Sequence, residues 1–194
     1  MFIDPIDPDS AQGLTAEIYR SEIEGRGFLP EFVQTFSHHP EAYKAWQTLI
    51  TVLYGGMDRR RCELATLAAA RTMKSTGCTV AHGKTLRDRF FTADEVVQIM
   101  EDHHRAGLDE VDVAVIDFAE KAARDSTSIT QGDVDHLKSY GLTDREIFDV
   151  TFAVAARAFL TTLIESLGTS AEQPWVDDLE PELLEVLTVG RPTR

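Results

Sequence analysis

The sequence has few cysteines, no excess of basic charge and no evident secretory signal. Only two cysteines, Cys62 and Cys78, occur among its 194 residues. This argues against a disulfide-stabilised secreted domain and leaves thiol chemistry open. The formal net charge of -14 argues against nucleic acid and anionic membrane surfaces as partners. With no apolar run that approaches about 20 residues, we predict a cytoplasmic protein with no membrane partner.

Motifs for common cofactors are also missing. The sequence has no glycine-rich phosphate loop, nucleotide-binding fingerprint or haem-attachment motif, so we predict no organic cofactor. No metal site is predicted, because Cys78 and His82 could supply only two ligands and no third Cys or His lies at zinc spacing. The two histidine doublets, at 38–39 and 103–104, are interpreted as surface residues.

Strand patterns are almost absent, whereas helix boundaries recur. Pro40 suits a first helical turn, Asp58 a cap, and the Thr-x-x-Glu segments 92–95 and 143–146 have the form of capping boxes. Gly77 is predicted to separate two helices. We therefore predict an all-α helical bundle of about eight helices in a single domain, 1–194. Residues 1–13 would form an irregular N-terminal arm and residues 176–194 an acidic C-terminal tail.

Positive charge is concentrated in one segment of this acidic chain. Residues 58–91 carry eight basic and three acidic side chains, and both cysteines lie within them. A solvated face of mixed helices would give the same pattern. The functional interpretation is that the segment surrounds a site that handles negative charge.

Residues typical of an activated cysteine lie in that segment. Cys78 falls in a first helical turn, where unpaired backbone N–H groups and the helix dipole favour a thiolate. His82 follows one turn later and could accept the thiol proton. Glu63, at the start of the preceding helix, could relay a proton or orient His82. The structural alternatives are a buried thiol near a surface imidazole, and a carboxylate paired with Arg59 or Arg60.

Three stretches, 60–68, 78–82 and 92–96, resemble the alkylhydroperoxidase D-like (AhpD-like) family of the carboxymuconolactone decarboxylase superfamily. Its pattern is a Glu at a helix start, Cys-x-x-Cys-x-x-x-His on the next helix, and a Thr/Ser-x-x-Glu helix after that. The helix of Pro40 and Trp46, and the segment 158–163, resemble the peroxidase-related branch. The resemblance covers roughly residues 14 to 175. It implies an AhpD-like helical bundle that assembles as a homo-oligomer, a trimer or a hexamer.

Position by position, the resemblance implies a proton-relay role for Glu63 and a histidine-linked nucleophile at Cys78, assisted by His82. Ser75 occupies the place of the first cysteine, so the disulfide through which the two-cysteine enzymes cycle cannot form. Ser75 could still donate a hydrogen bond to the Cys78 thiolate. Cys62 is the remaining internal candidate for resolving an oxidised Cys78.

Three functional hypotheses follow. The first is a thiol-dependent, peroxidase-like antioxidant oxidoreductase in which Cys78 attacks a peroxide and Cys62 or an external thiol reductant completes the cycle. The second is a carboxymuconolactone decarboxylase-like enzyme that acts on a small acid through His82 and Glu63. The third is a non-enzymatic oligomeric scaffold of the same fold, for which an unreactive Cys78 would be diagnostic.

Overall fold

The computed structural model describes residues 1–193, which form helices and, within that range, no strand. The all-α prediction is confirmed. Eleven α-helices occur in this part of the chain, nine of them with at least seven residues, against about eight predicted. They are α1 Gly13–Arg26, α2 Glu31–Gln34, α3 Pro40–Gly56, α4 Arg59–Thr72, α5 Thr76–Arg89, α6 Ala93–Asp102, α7 Glu110–Arg124, α8 Gln131–Ser139, α9 Asp144–Ser166, α10 Gln173–Val176 and α11 Pro181–Leu187.

The helix starts follow the local chemistry of the sequence. The Asp58 carboxylate accepts an N–H of the first turn of α4 at 2.9 Å. Reciprocal capping boxes form at 92–95 and at 143–146, as predicted. A third, at 130–133, uses an Asp where the usual motif has Glu or Gln, which explains why the Thr-x-x-Glu pattern missed it.

The turn between α4 and α5 is formed by Met73, Lys74 and Ser75 rather than by Gly77, which corrects the predicted boundary. Lys74 adopts a left-handed conformation with φ of 56°, and the Ser75 N–H bonds to the Ala70 carbonyl at 3.0 Å. This 6→1 bond closes the α4 terminus without a glycine. Gly77 lies inside the first turn of α5, so Cys78 is in the first turn as predicted.

Helix α4 is the centre of the bundle. Every residue from Cys62 to Ala70 is buried, and α4 packs against α5, α7 and α9. A helix that is buried around most of its circumference places even its polar residues in the core. Glu63 is therefore an interior carboxylate with 1% exposure.

Helix α9 is long and apolar enough to cross a bilayer by length and composition, so the expectation that no such segment exists was wrong. However, 56% of its apolar window is buried against the rest of the protein. That burial is typical of the core helix of a soluble protein, as is its packing against α3, α4 and α7.

The segment expected to be an acidic tail packs onto the bundle through α11, which contacts α5 and α6. Leu183 and Leu187 are fully buried. The Leu187 side chain lies directly over Gly83 of α5, and a Cβ at position 83 would come within 2.5 Å of it. Gly83 thus leaves room for Leu187 where α11 approaches the helix that carries Cys78 and His82, and a side chain at position 83 would force Leu187 to shift.

Candidate active site

Glu63 and His82 form a buried pair across the α4–α5 hairpin. Glu63 Oε2 lies 2.5 Å from Nδ1 of His82, and Glu63 Oε1 lies 2.7 Å from Nη2 of Arg59. Arg59 is one turn before Glu63 on α4 and stacks over the ring of Tyr54 at 3.3 Å. The Glu63 carboxylate therefore contacts His82, as the catalytic interpretation predicted, and also Arg59, as the structural alternative predicted.

The surroundings favour a neutral His82 and an ionised Glu63. Burial lowers the pKa of His82, and the positive charge of Arg157 lowers it further, against a smaller opposing effect of Glu63. Burial alone would raise the pKa of Glu63, but His82, Arg59 and Arg157 together hold it below its ordinary value. Because the carboxylate accepts from Nδ1–H, we assign the lone pair of the ring to Nε2.

Cys78 is a buried thiol with two polar neighbours on α9. Nη1 of Arg157 donates to Cys78 Sγ at 3.2 Å, and Oγ1 of Thr161 lies 3.5 Å from the same sulfur. Within the described residues no hydrogen bond joins Cys78 to His82. In place of the predicted Cys78–His82 hydrogen bond, the sulfur has polar neighbours about 80 positions later in the sequence.

The two supporting residues proposed for Cys78 lie elsewhere. Ser75 is fully buried and donates to Oε1 of Glu165 at 2.7 Å, so its hydroxyl is engaged away from the sulfur. Cys62 is also fully buried, outside the cavity that Cys78 lines. Burial raises the pKa of the Cys62 thiol to about 11, and the charge of Glu63 contributes in the same direction. Both cysteines are free.

A cavity of about 440 Å³ joins these groups. Its volume lies within the range of small-molecule sites. Glu63, Cys78, His82 and Arg157 line one part of it, and the remaining wall includes apolar side chains of α3 and α9, among them Trp46, Ile50, Leu160 and Ile164. The arrangement offers a thiol, a neutral imidazole with a carboxylate behind it, and a guanidinium to a ligand with an apolar body.

The helical frame matches solved structures along nearly its whole length. A peroxidase-related protein of the alkylhydroperoxidase AhpD core from Ralstonia eutropha JMP134 is 21% identical with a TM-score of 0.76, covering 89% of this chain and 96% of the other. A peroxidase-related protein from Silicibacter sp. TM1040 is 20% identical with a TM-score of 0.75, covering 90% and 91%. The debrominase Bmp8 is 14% identical with a TM-score of 0.76, covering 94% and 96%.

The sequence model of the carboxymuconolactone decarboxylase family matches residues 40–121, which include Glu63, Cys78 and His82. This match covers less than half of the chain, so it is a similarity to that family over the segment that carries the site. No curated protein matches it in sequence. The AhpD-like helical fold inferred from the sequence is confirmed by the solved structures, while the activity of this protein is a separate question, because one fold serves many reactions.

Sequence reasoning missed Arg157 and Thr161. Both lie on α9, outside the basic segment and far from the motif. One signal was available for Arg157: it is the only charged residue between Asp149 and Glu165. A single arginine within an apolar helix is unusual, since arginine is rarely buried unless it is paired.

A second polar cluster corrects the surface interpretation for His103, whereas His104 is exposed as predicted. His103 is only 6% exposed, and its Nε2 lies 2.8 Å from Oδ1 of Asp117, which His104 Nε2 also approaches at 3.2 Å. These three residues could surround a metal ion by distance alone. Arg71, however, lies 3.4 Å from Nδ1 of His103. Because a guanidinium only donates, Nε2 would carry the proton given to Asp117 and would not be free to ligate.

Proposed function

We propose that this protein is a thiol-dependent, peroxidase-like oxidoreductase of the alkylhydroperoxidase D-like/carboxymuconolactone decarboxylase superfamily in which Cys78 is the nucleophile. The Cys78 thiolate attacks the terminal oxygen of a hydroperoxide, and an S–O bond forms as the O–O bond breaks. The electron pair of that bond leaves with the alkoxide, which takes up a proton. Sulfur is thereby oxidised to a sulfenic acid, and the peroxide is reduced to an alcohol.

The observation that supports this function is that Cys78 and the Glu63–His82 pair line one cavity. His82, neutral and with Nε2 unbonded to other described residues, would accept the thiol proton and return it to the leaving oxygen. Glu63 would hold the ring in the required tautomer. The proposal is supported by the fact that both residues line the cavity, and no hydrogen bond joins His82 to the sulfur in the described part of the chain.

Regeneration would require an external thiol. Ser75 cannot form a disulfide, and Cys62 is buried outside the cavity. One thiol molecule would condense with the sulfenic acid to give a mixed disulfide and water. A second would release the Cys78 thiol and leave as a disulfide. The cycle thus uses one protein cysteine instead of two.

The test is hydroperoxide consumption by purified protein with dithiothreitol as reductant. We expect Cys78→Ser to abolish the protein-dependent rate and Cys62→Ala, the matched control, to retain it. An unchanged rate in Cys78→Ser would exclude this function. The debrominase Bmp8 has the same fold, and a cysteine-to-alanine variant of it is found in complex with 2,3,4-tribromopyrrole, so brominated pyrroles belong in the substrate panel.

A decarboxylase-like enzyme acting on a small acid is the second candidate. It is favoured by the Glu63–His82 pair, which lines the cavity and has no hydrogen bond to Cys78 within the described residues. Acid–base chemistry at His82 would then be independent of the thiol. This function predicts turnover of small dicarboxylates that survives Cys78→Ala and is lost in His82→Ala.

We also propose that the protein assembles as a homo-oligomer through α9. Phe148 and Phe159 lie on one outer stripe of α9 and are 63% and 51% exposed. Val52, on the neighbouring α3, is 60% exposed. Apolar side chains exposed together are typical of protein–protein contacts. The trimer or hexamer implied by the sequence resemblance would cover this stripe.

A further inference from the structure

Arg157 is a buried cation that forms no ion pair with a carboxylate among residues 1–193. Its exposure is 6%, its Nε has no hydrogen-bond partner within the described residues, and no carboxylate there lies within 4 Å of it. Other partly buried arginines differ in this respect: Arg59 pairs with Glu63, and Arg71 with Glu120. A guanidinium stays protonated in proteins, so the charge of Arg157 must be balanced by another group.

Cys78 is the hydrogen-bond partner of Arg157 in the described chain. Nη1 donates to Sγ at 3.2 Å, and Thr161, one helical turn after Arg157, brings a hydroxyl to 3.5 Å from the same sulfur. A thiolate would accept from both groups and would also supply the missing negative charge. With a neutral thiol, Arg157 would have only a share in the negative charge of Glu63, which already forms an ion pair with Arg59.

The other groups near the sulfur do not provide this positive charge. His82 is not hydrogen-bonded to Cys78, and its imidazole is neutral in the form that burial favours. Arg59 is engaged by the carboxylate of Glu63. The N-terminal turn of α5 contributes its dipole, but Arg157 is the full charge in contact with Sγ.

We propose that Arg157 is the catalytic residue that activates Cys78: it stabilises the thiolate and then donates to the oxygen that leaves when the S–O bond forms. Thr161 holds the sulfur from the same side. Donation to the leaving oxygen rests on the proposed peroxidase-like function, whereas stabilisation of the thiolate concerns Cys78 alone. The O–O electron pair would leave on an oxygen already next to a fixed positive charge, which is how preorganised donors accelerate such steps.

The test is the alkylation rate of Cys78 by iodoacetamide at about pH 7, followed by peptide mass spectrometry. Iodoacetamide is uncharged, so the rate reports the thiolate rather than attraction of the reagent. We expect Arg157→Gln to lower the rate about tenfold or more, Arg157→Lys to restore part of it, and Thr161→Val to lower it less. Arg89→Gln is the matched control, because Arg89 lines the same cavity but is exposed.

Circular dichroism would establish whether each variant is folded. If Arg157→Gln does not fold, Thr161→Val still tests the polar contacts that α9 makes with the Cys78 sulfur. An unchanged rate in folded Arg157→Gln, or an equal loss in Arg89→Gln, would overturn the proposal. Hydroperoxide consumption in the same samples separates the two ideas. Arg157-dependent alkylation without peroxide consumption would refute the proposed function and retain the activated thiolate. Peroxide consumption together with alkylation that does not depend on Arg157 would support the proposed function and refute the role of Arg157.

Discussion

Replacing Glu63 by Gln tests whether the buried carboxylate holds the site together. The carboxylate accepts from Nδ1 of His82 at 2.5 Å and contacts Arg59 at 2.7 Å. A glutamine amide offers one carbonyl oxygen and one NH₂ group, so it can accept from only one of these donors and opposes the other. The variant therefore loses at least one charge-assisted hydrogen bond at a site with 1% exposure.

The expected cost is about 2–3 kcal/mol, since a hydrogen bond to a charged group contributes about 1.5–3 kcal/mol. The full cost of an unpaired buried cation does not apply, because Arg59 is 34% exposed and water can solvate it. For a domain of this size the loss corresponds to a Tm lower by roughly 5–10 °C. The effect on hydroperoxide consumption should be larger than for a distant variant of equal stability, because His82 also loses its orientation.

The assay is urea unfolding of wild type and variant from about pH 7 down to about pH 2, so that the series extends well below the ordinary pKa of a glutamate. The folded-state pKa of Glu63 lies below its ordinary value of 4.5, so the carboxylate stabilises the fold above that pH. Its contribution is lost as the pH falls through the folded-state pKa, and the difference between the two proteins should shrink there. Glu41→Gln is the control, because Glu41 faces His39 at 3.3 Å with both side chains more than two-thirds exposed.

Glu41→Gln should change stability by less than about 0.5 kcal/mol. If Glu63→Gln costs no more than this control, or if its cost does not depend on pH, the assignment of an ionised, structurally essential Glu63 is wrong.

Three further predictions concern the cysteines, the C-terminal helix and the assembly. In the native protein iodoacetamide should modify Cys78 and spare Cys62, because Cys62 is fully buried and its burial raises the thiol pKa to about 11. Equal labelling of the two cysteines in peptide mass spectrometry would contradict this prediction. Leu187→Ala should lower the free energy of unfolding by about 2–5 kcal/mol in urea titrations, since this fully buried side chain fills the space over Gly83. A loss below about 1 kcal/mol would mean that α11 does not pack against α5 as described. Phe148→Glu should reduce the mass measured by light scattering while leaving the helical circular dichroism unchanged, and an unaltered mass would remove α9 from the interface.

The sequence determined the helical fold class, most helix boundaries and the local part of the site. Caps such as Asp58 and the box at 143–146 act within one turn, so a short window of sequence contains all the atoms involved. The same holds for Cys78 and His82, whose spacing on one helix is fixed by its geometry. Glu63 could be related to them because its helix and theirs are joined by a tight turn.

Only the tertiary structure decided what surrounds the thiol. Arg157 and Thr161 reach Cys78 because α9 packs across the α4–α5 hairpin, and Ser75 is directed to Glu165 by the same packing. Such contacts depend on the angle and depth at which helices meet, which hydrophobic periodicity does not specify. A lone arginine in an apolar helix indicates that a partner is needed; the fold determines that the partner is a cysteine.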